Sequence, residues 1–338
     1  MPESVDSLLK IAAEKNGGIL SFRDFSEIAL FAPRVGYYSR QQQRVGFGAG
    51  TDFYTASEVG EIFGILVAAA AATMLGHNAN PKEFSFVEIG AEPGKDNLAA
   101  ARQIFAEAKA IRLGEKIEIP EKAVVFANEL FDAQPFHRLV FAGGEWREIG
   151  VATDPATGQW REKILPHIST EKLREFVTTN LPQQNEDGWH LDISLDAETL
   201  LEKILATTVW RGAFVFHDYG KTLADCMESF PAGTARAYFR HTLSNELTTN
   251  PGEQDLTCHV LWDRLSGVAK KCGFADARVQ RQEAFFMEHA LAEIGKIVAH
   301  DSRERNVEAM RRRNKLMELI HPAKMGHAFQ VLTGTRGI

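Results

Sequence analysis

Three short apolar runs, each closed by acids or an amide, constrain the fold of this chain more than any other feature. They are FSFVEIG at 84–90, AVVFA at 123–127 with NELFDAQP following at 128–135, and GAFVFHDYG at 212–220. Short, continuous apolar runs with polar ends mark buried strands. Segments of helical pattern lie between them. Strands alternating with helices build a parallel, doubly wound sheet, and such sheets bind ligands just past the carboxyl ends of their strands. Asn128, Glu129 and Asp132 therefore stand where chemistry takes place, with Glu88 and Asp218 closing the neighbouring runs.

Composition removes several classes of function. The chain has 338 residues, 44% hydrophobic and 25% charged, which is enough to bury a sizeable core. Its formal net charge is −7, and the one short basic tract, Arg311–Arg313, falls on a predicted helix, which argues against a dedicated nucleic-acid binder. Cys226, Cys258 and Cys272 are too few and too scattered for a disulfide framework, and Cys258–His259 has no second ligand pair at metal spacing. No metal is expected. A reducing, cytoplasmic setting fits this cysteine usage, and no charged-then-apolar leader is visible. The run GILVAAAAATML at 64–75 is too short for a membrane span and reads as a buried helix.

Two helical segments open the chain, SVDSLLKIAAEKNG and SFRDFSEIALFAP, with Ser21 capping the second and Asp24 in its first turn. A glycine-punctuated loop, 33–58, follows. The segment DNLAAARQIFAEAKAI reads as a helix capped by Asp96, and Gly143–Gly144 marks a hairpin. Further helices are predicted at 198–210 and at 261–273, the latter ending on Gly273. ARVQRQEAFF and AFQVLTGTR read as a last hairpin at the sheet edge, with helices between. The expected organisation is a helical, cofactor-covering subdomain over 1–80 and a Rossmann-type α/β domain over 81–338. The segment 230–257, rich in Gly, Pro and Asn, is expected to form an inserted lid.

The turn EIGAEPGK places Gly90 and Gly94 between a strand and a helix, where glycine lets backbone approach a nucleotide. By itself it also fits an ordinary tight turn. The dinucleotide pattern G-x-G-x-x-G is absent, and Glu92 stands where its middle glycine belongs. A carboxylate there repels pyrophosphate, which argues against NAD or FAD. The sulfonium and ammonium of S-adenosylmethionine tolerate it better. Glu129 and Asp132 can converge on one cation, and a planar guanidinium suits such a clamp. The plainer alternative has Asp132 capping the next segment and Glu129 facing solvent. His217 reads as a satisfied strand-end histidine rather than a general base.

These segments together resemble the MidA-like family of Rossmann-type, S-adenosylmethionine-dependent methyltransferases. SFRDFSEIALFAPRVGYYS, TDFYTASEVGEIFG, FVEIGAEPG, VVFANELFDAQPFHRLVF, GAFVFHDYG, NPGEQDLTCHVLWDRL and KMGHAFQVL match it in order and spacing. The resemblance implies a methyltransferase acting on a protein arginine, since a mitochondrial member methylates a respiratory complex I subunit during assembly. The implied partner is thus a protein substrate or assembly partner such as a respiratory-complex subunit. By the same resemblance Thr55, Ser57, Glu58, Glu88, Gly90 and Gly94 face the cofactor. Asn128, Glu129, Asp132 and Pro135 form the signature, with the first three as catalytic residues. Asp218, Tyr219, Gly220, Asp255, Thr257 and His259 line the substrate cleft. Two departures predict weakened cofactor binding: Glu92 in the glycine loop, and no clear second strand ending in a ribose-binding acid within 109–123. A non-catalytic relative that binds or assembles other proteins therefore stays open beside the enzyme.

Overall fold

The computed structural model describes residues 4–40, 60–91, 98–206, 210–239, 242–304 and 306–338. The chain forms two compact units. One comprises Met1–Phe53, Phe131–Thr199 and Lys221–Leu261; the other comprises Tyr54–Leu130, Leu200–Gly220 and Trp262–Ile338. The sequence suggests a division at residue 80, but the opening helices belong with the middle segments instead.

The second unit carries the doubly wound sheet. Its strands are β1 (Ser85–Ile89), β2 (Glu107–Ile111), β3 (Lys122–Asn128), β4 (Arg211–Asp218), β5 (Arg278–Arg281) and β6 (Gln330–Arg336). They lie in the order β5-β6-β4-β3-β1-β2. The pairs β2–β1, β1–β3 and β3–β4 are parallel, and β6 runs antiparallel between β4 and β5. Strands covered on both faces read as continuous apolar runs, which is why these were legible: every residue of β1 is buried, as are Ala123–Ala127 of β3. Register sets Glu88 beside Phe126, and Asn128 beside His217, so the polar residues gather at one end.

Helix Glu61–Met74 packs on one face of this sheet. It is apolar nearly all round, and its alanines let backbone come close. Phe63 stands 6.1 Å from Phe126 and 6.3 Å from Phe286, in a core shared with Leu66, Val215, Leu319 and Val331. Among the described residues no helix is long and apolar enough to cross a membrane.

Two elements differ from expectation. Among the described residues of the helix predicted over 96–111, only Ala99–Ile104 is α-helical, and Glu107–Ile111 is strand β2. Glu, Ala and Lys favour helix, but propensity is a weak prior against tertiary pairing. Here Phe105 is buried and extended, Ala106 N donates to Phe84 O, and all of 107–111 pairs with β1. The segment QEAFF, read as strand, starts helix Gln282–His289.

The first unit holds an antiparallel sheet that the sequence reading caught only at its hairpin. His137–Ala142 pairs with Glu145–Thr153 through Gly143 and Gly144, both at positive φ. His190–Ile193, Trp160–Ile164 and Ile19–Ser21 complete it. The predicted cap Ser21 is present, its Oγ accepting from Asp24 N at 3.0 Å above Phe22–Phe31, and Ser4 caps Val5–Lys15, whereas Asp96 lies outside the described residues. Within 230–257 lies a three-stranded antiparallel sheet of Arg236–Phe239, Thr242–Ser244 and Asp255–Thr257.

Candidate active site

Glu88 is buried one residue before the end of β1. Gly90 follows at φ 79°, and a Cβ built there meets Leu130 Cδ1 at 2.8 Å. The chain therefore leaves β1 through a conformation that glycine adopts freely and L residues rarely do. Gly90 N donates to Ile111 O at 2.9 Å, tying this turn to the end of β2. The residue after β2 is Arg112, and Glu115 accepts from its backbone N at 2.8 Å. The second strand that the sequence reading missed is thus present, and Glu115 closes the turn beyond it.

The end of β3 is strained. Glu129 has φ 50°, a left-handed conformation costing an L residue about 1–2 kcal/mol. Glu129 N donates to His217 O at 2.9 Å, which carries the β3–β4 ladder one residue further and holds the strained geometry. Asn128 Nδ2 donates to Glu129 Oε1 at 2.8 Å. Asn128 Oδ1 is buried with no hydrogen bond among the described residues. Strain and an orphaned acceptor at one strand end are marks of a site rather than of a stabilising contact.

His217 is fully buried beside these groups, ringed by Phe63, Phe126, Phe285 and Phe286. Gln282 Nε2 donates to Leu319 O at 3.0 Å, so its Oε1 is left to accept from His217 Nδ1 at 3.1 Å. Burial pushes the imidazole pKa down to about 4, with the Gln282 bond opposing. His217 is therefore neutral at physiological pH, as a structural strand-end histidine would be. Its folded pKa lies below the ordinary 6.5, so between pH 6.5 and 4 the unfolded chain binds a proton that the folded chain refuses. Stability from this group is complete above pH 6.5 and is lost as pH falls toward 4. Urea unfolding at stepped pH should show His217→Gln lowering the acid-side slope by about 1.4 kcal/mol per pH unit. An unchanged slope would mean that other groups carry the acid sensitivity.

Asp218 is wholly buried, and its Oδ1 accepts from Tyr219 N at 2.8 Å. Tyr219 packs on Phe329 with ring centroids 4.0 Å apart, and Gly220 N donates to Gln330 Oε1 at 3.0 Å. These three residues order the chain leaving β4.

The remaining predicted residues that the structure describes belong to the first unit. Asp132 and Asp255 are buried there, and Cys258 N donates to Asp132 O at 3.0 Å. Tyr38 Oη donates to Asp255 Oδ1 at 2.8 Å. Burial, with Asp255 and then Tyr37 and Asp132 adding to it, holds the Tyr38 phenol well above its ordinary pKa. It therefore stays a donor. In the sequence the only signal for Tyr38 is its place inside the family-like GYYS segment. Pro135 O accepts from Ser194 Oγ at 2.7 Å, an anchoring contact. Thr257 pairs in register with Arg236, and His259 N donates to Thr234 Oγ1 at 3.2 Å. Thr55, Ser57, Glu58, Glu92 and Gly94 lie outside the described residues.

A family model described as "Putative S-adenosyl-L-methionine-dependent methyltransferase" matches residues 95–279, more than half the chain. The chain belongs to this MidA-like family. The methyl donor of the family is S-adenosylmethionine. Among curated relatives, the chain is 24% identical to the mitochondrial protein arginine methyltransferase NDUFAF7 homologue of Drosophila melanogaster, over 95% of this chain and 82% of that protein. It is 23% identical to mitochondrial NDUFAF7 of Danio rerio, over 96% and 86%. A Burkholderia thailandensis protein crystallised with S-adenosyl-homocysteine shares the fold, with a TM-score of 0.81 at 23% identity, covering 99% of this chain and 92% of that one. A native structure from the same organism gives 0.79 at 22% identity, with the same coverage.

The strand ends of this chain suit such a cofactor. The buried Glu88 carboxylate offers acceptors to hydroxyl or ammonium donors. The Gly90 turn presents backbone without a side chain in the way.

Proposed function

We propose that this methyltransferase acts on an arginine side chain of a protein partner, with Glu88 and the Gly90 turn on the cofactor side. The observation carrying this reading is the Asn128–Glu129 pair, a carboxylate oriented by its neighbour's amide on a residue held in a strained backbone conformation at the end of β3. When bound, S-adenosylmethionine supplies an electrophilic methyl on a sulfonium. Glu129 is assigned to grip the guanidinium from one side. Its carboxylate matches the planar N–H fork and draws positive charge onto the nitrogens it touches, which leaves the attacking nitrogen richer in electrons. The orphaned Asn128 Oδ1 accepts a further N–H and fixes the plane. Asp132 is assigned a part in the reaction on the strength of the family-like signature alone. Holding the nucleophile in line supplies about 7–11 kcal/mol of a bimolecular barrier. Carboxylates where positive charge develops add to it. No strong base is needed, because the proton leaves after transfer, and neutral His217 is not assigned one. The names of the distant relatives support a protein arginine as substrate.

The test incubates the full chain with methyl-labelled cofactor and a pool of cell proteins, then hydrolyses the products. Methylarginine is expected. Label on another residue type would overturn the substrate assignment.

One observation favours a second reading, a protein-binding relative without transfer. Arg112, not an acid, follows β2, and Glu115 is engaged with its backbone. Calorimetry with S-adenosyl-homocysteine bears on the two readings, since the second predicts weak or no binding.

A further inference from the structure

A group of cations in the first unit has no acid to answer it. Arg236 stands opposite Thr257 in the antiparallel pair, and His259 N meets Thr234 two residues further along both chains. Their register places Arg236 and Thr257 on one face, and His259 follows just past the strand, close enough for Arg236 and Lys221 to act on its imidazole. Phe230 joins Lys221 to them: its ring lies 5.9 Å from the His259 ring, with Lys221 Nζ 5.7 Å above its centroid.

Among the described residues neither Arg236 nor Lys221 pairs with a carboxylate. Arg236 Nη1 donates only to the backbone oxygens of Ala235, at 2.6 Å, and Gly233, at 3.5 Å. His259 Nδ1 is buried without a hydrogen bond. The neighbouring acids are committed elsewhere. Asp192 accepts from Thr234 N and Ala235 N, each at 2.7 Å, and pairs with Arg138 at 3.0 Å. Asp225 closes the capping box of Thr222. Burial pushes the His259 pKa down to about 4, with Lys221 and then Arg236 adding to it and Asp192 opposing. Two part-exposed cations with no carboxylate partner, beside a half-buried imidazole, leave a local positive potential that an anion would answer.

We propose that Arg236, Thr257 and His259, with Lys221 across Phe230, form a carboxylate-binding site that takes an acidic side chain of the protein substrate. Arg236 supplies a planar donor fork, Thr257 a hydroxyl, and Lys221 a point charge. The identity of the ligand rests on the protein-substrate reading above; the existence of the site does not.

The full-length protein, carbon-13 labelled at its histidines, is titrated without cofactor with the peptide acetyl-Gly-Arg-Gly-Glu-Gly-amide and with its Gln counterpart. The His259 resonance is assigned by its loss in His259→Gln. The Glu peptide is expected to move this resonance and raise its titration midpoint, and the Gln peptide is not. Lys221→Gln and Arg236→Gln should each weaken the response about tenfold, one charge-assisted contact being worth about that factor. If Arg236→Gln fails to fold, Lys221→Gln carries the comparison. Equal response to the two peptides, or unchanged affinity in the variants, overturns the site. A response to inorganic phosphate with none to the Glu peptide overturns the carboxylate assignment. Glu-dependent binding, followed by no methyl transfer to the peptide arginine once S-adenosylmethionine is added, upholds the site and counts against the arginine reading alone.

Discussion

Glu129→Gln should reduce methyl transfer by about 100-fold or more, a loss of roughly 2.7 kcal/mol of transition-state stabilisation, while cofactor affinity changes little. The substitution keeps the size of the side chain and its bond from Asn128, and removes only the charge that the guanidinium needs. Asp132→Asn tests the second carboxylate in the same way. Transfer and S-adenosyl-homocysteine binding are measured separately on each variant. Equal losses in both would place these residues on the cofactor side, and a near-native rate would make them structural.

Gly212→Ala should destabilise the protein by about 4 kcal/mol. Gly212 sits in β4 at φ 136°, opposite Ala123 of β3, and a Cβ there falls 1.9 Å from Ala123 O. Both atoms are held by a buried parallel ladder, so neither yields cheaply. Backbone strain of about 1–3 kcal/mol adds to an overpacking cost of about 1–3 kcal/mol. Gly267→Ala is the control. It lies in helix Trp262–Lys271 with nothing within 4 Å of the added carbon, and should stabilise by about 0.5–1 kcal/mol. Denaturant midpoints of the two variants should move in opposite directions. A small change at Gly212 would mean that β3 and β4 shift apart with little cost.

What the sequence disclosed follows from burial. β1, β3 and β4 are covered on both faces, so their apolar runs and polar ends were readable without coordinates. β2 was not, because EAKAI is a helix-favouring string made a strand only by pairing with β1. The sheet through His137–Ala142 and Glu145–Thr153 was readable only at Gly143–Gly144, since long-range antiparallel pairing leaves little local trace. At the site, the residue types Asn128, Glu129 and Asp218 were visible. The left-handed backbone of Glu129 was not, because a local sequence of NELF does not demand it. Tyr38 escaped for a related reason: its partner Asp255 lies more than two hundred positions away, and only folding makes them neighbours.

The place of β6 bears on how the protein comes into being. This strand, Gln330–Arg336, lies between β4 and β5, yet it follows every other strand of the sheet in the chain. A ribosome delivers β5 with its seat beside β4 still open. Until the last strand emerges, β4 and β5 each expose an unpaired backbone edge, the kind that recruits foreign strands. Nascent chains halted before residue 330 should therefore be held by chaperones or aggregate, whereas emergence of Gln330–Arg336 lets the interior strand enter and seal the sheet in one late step.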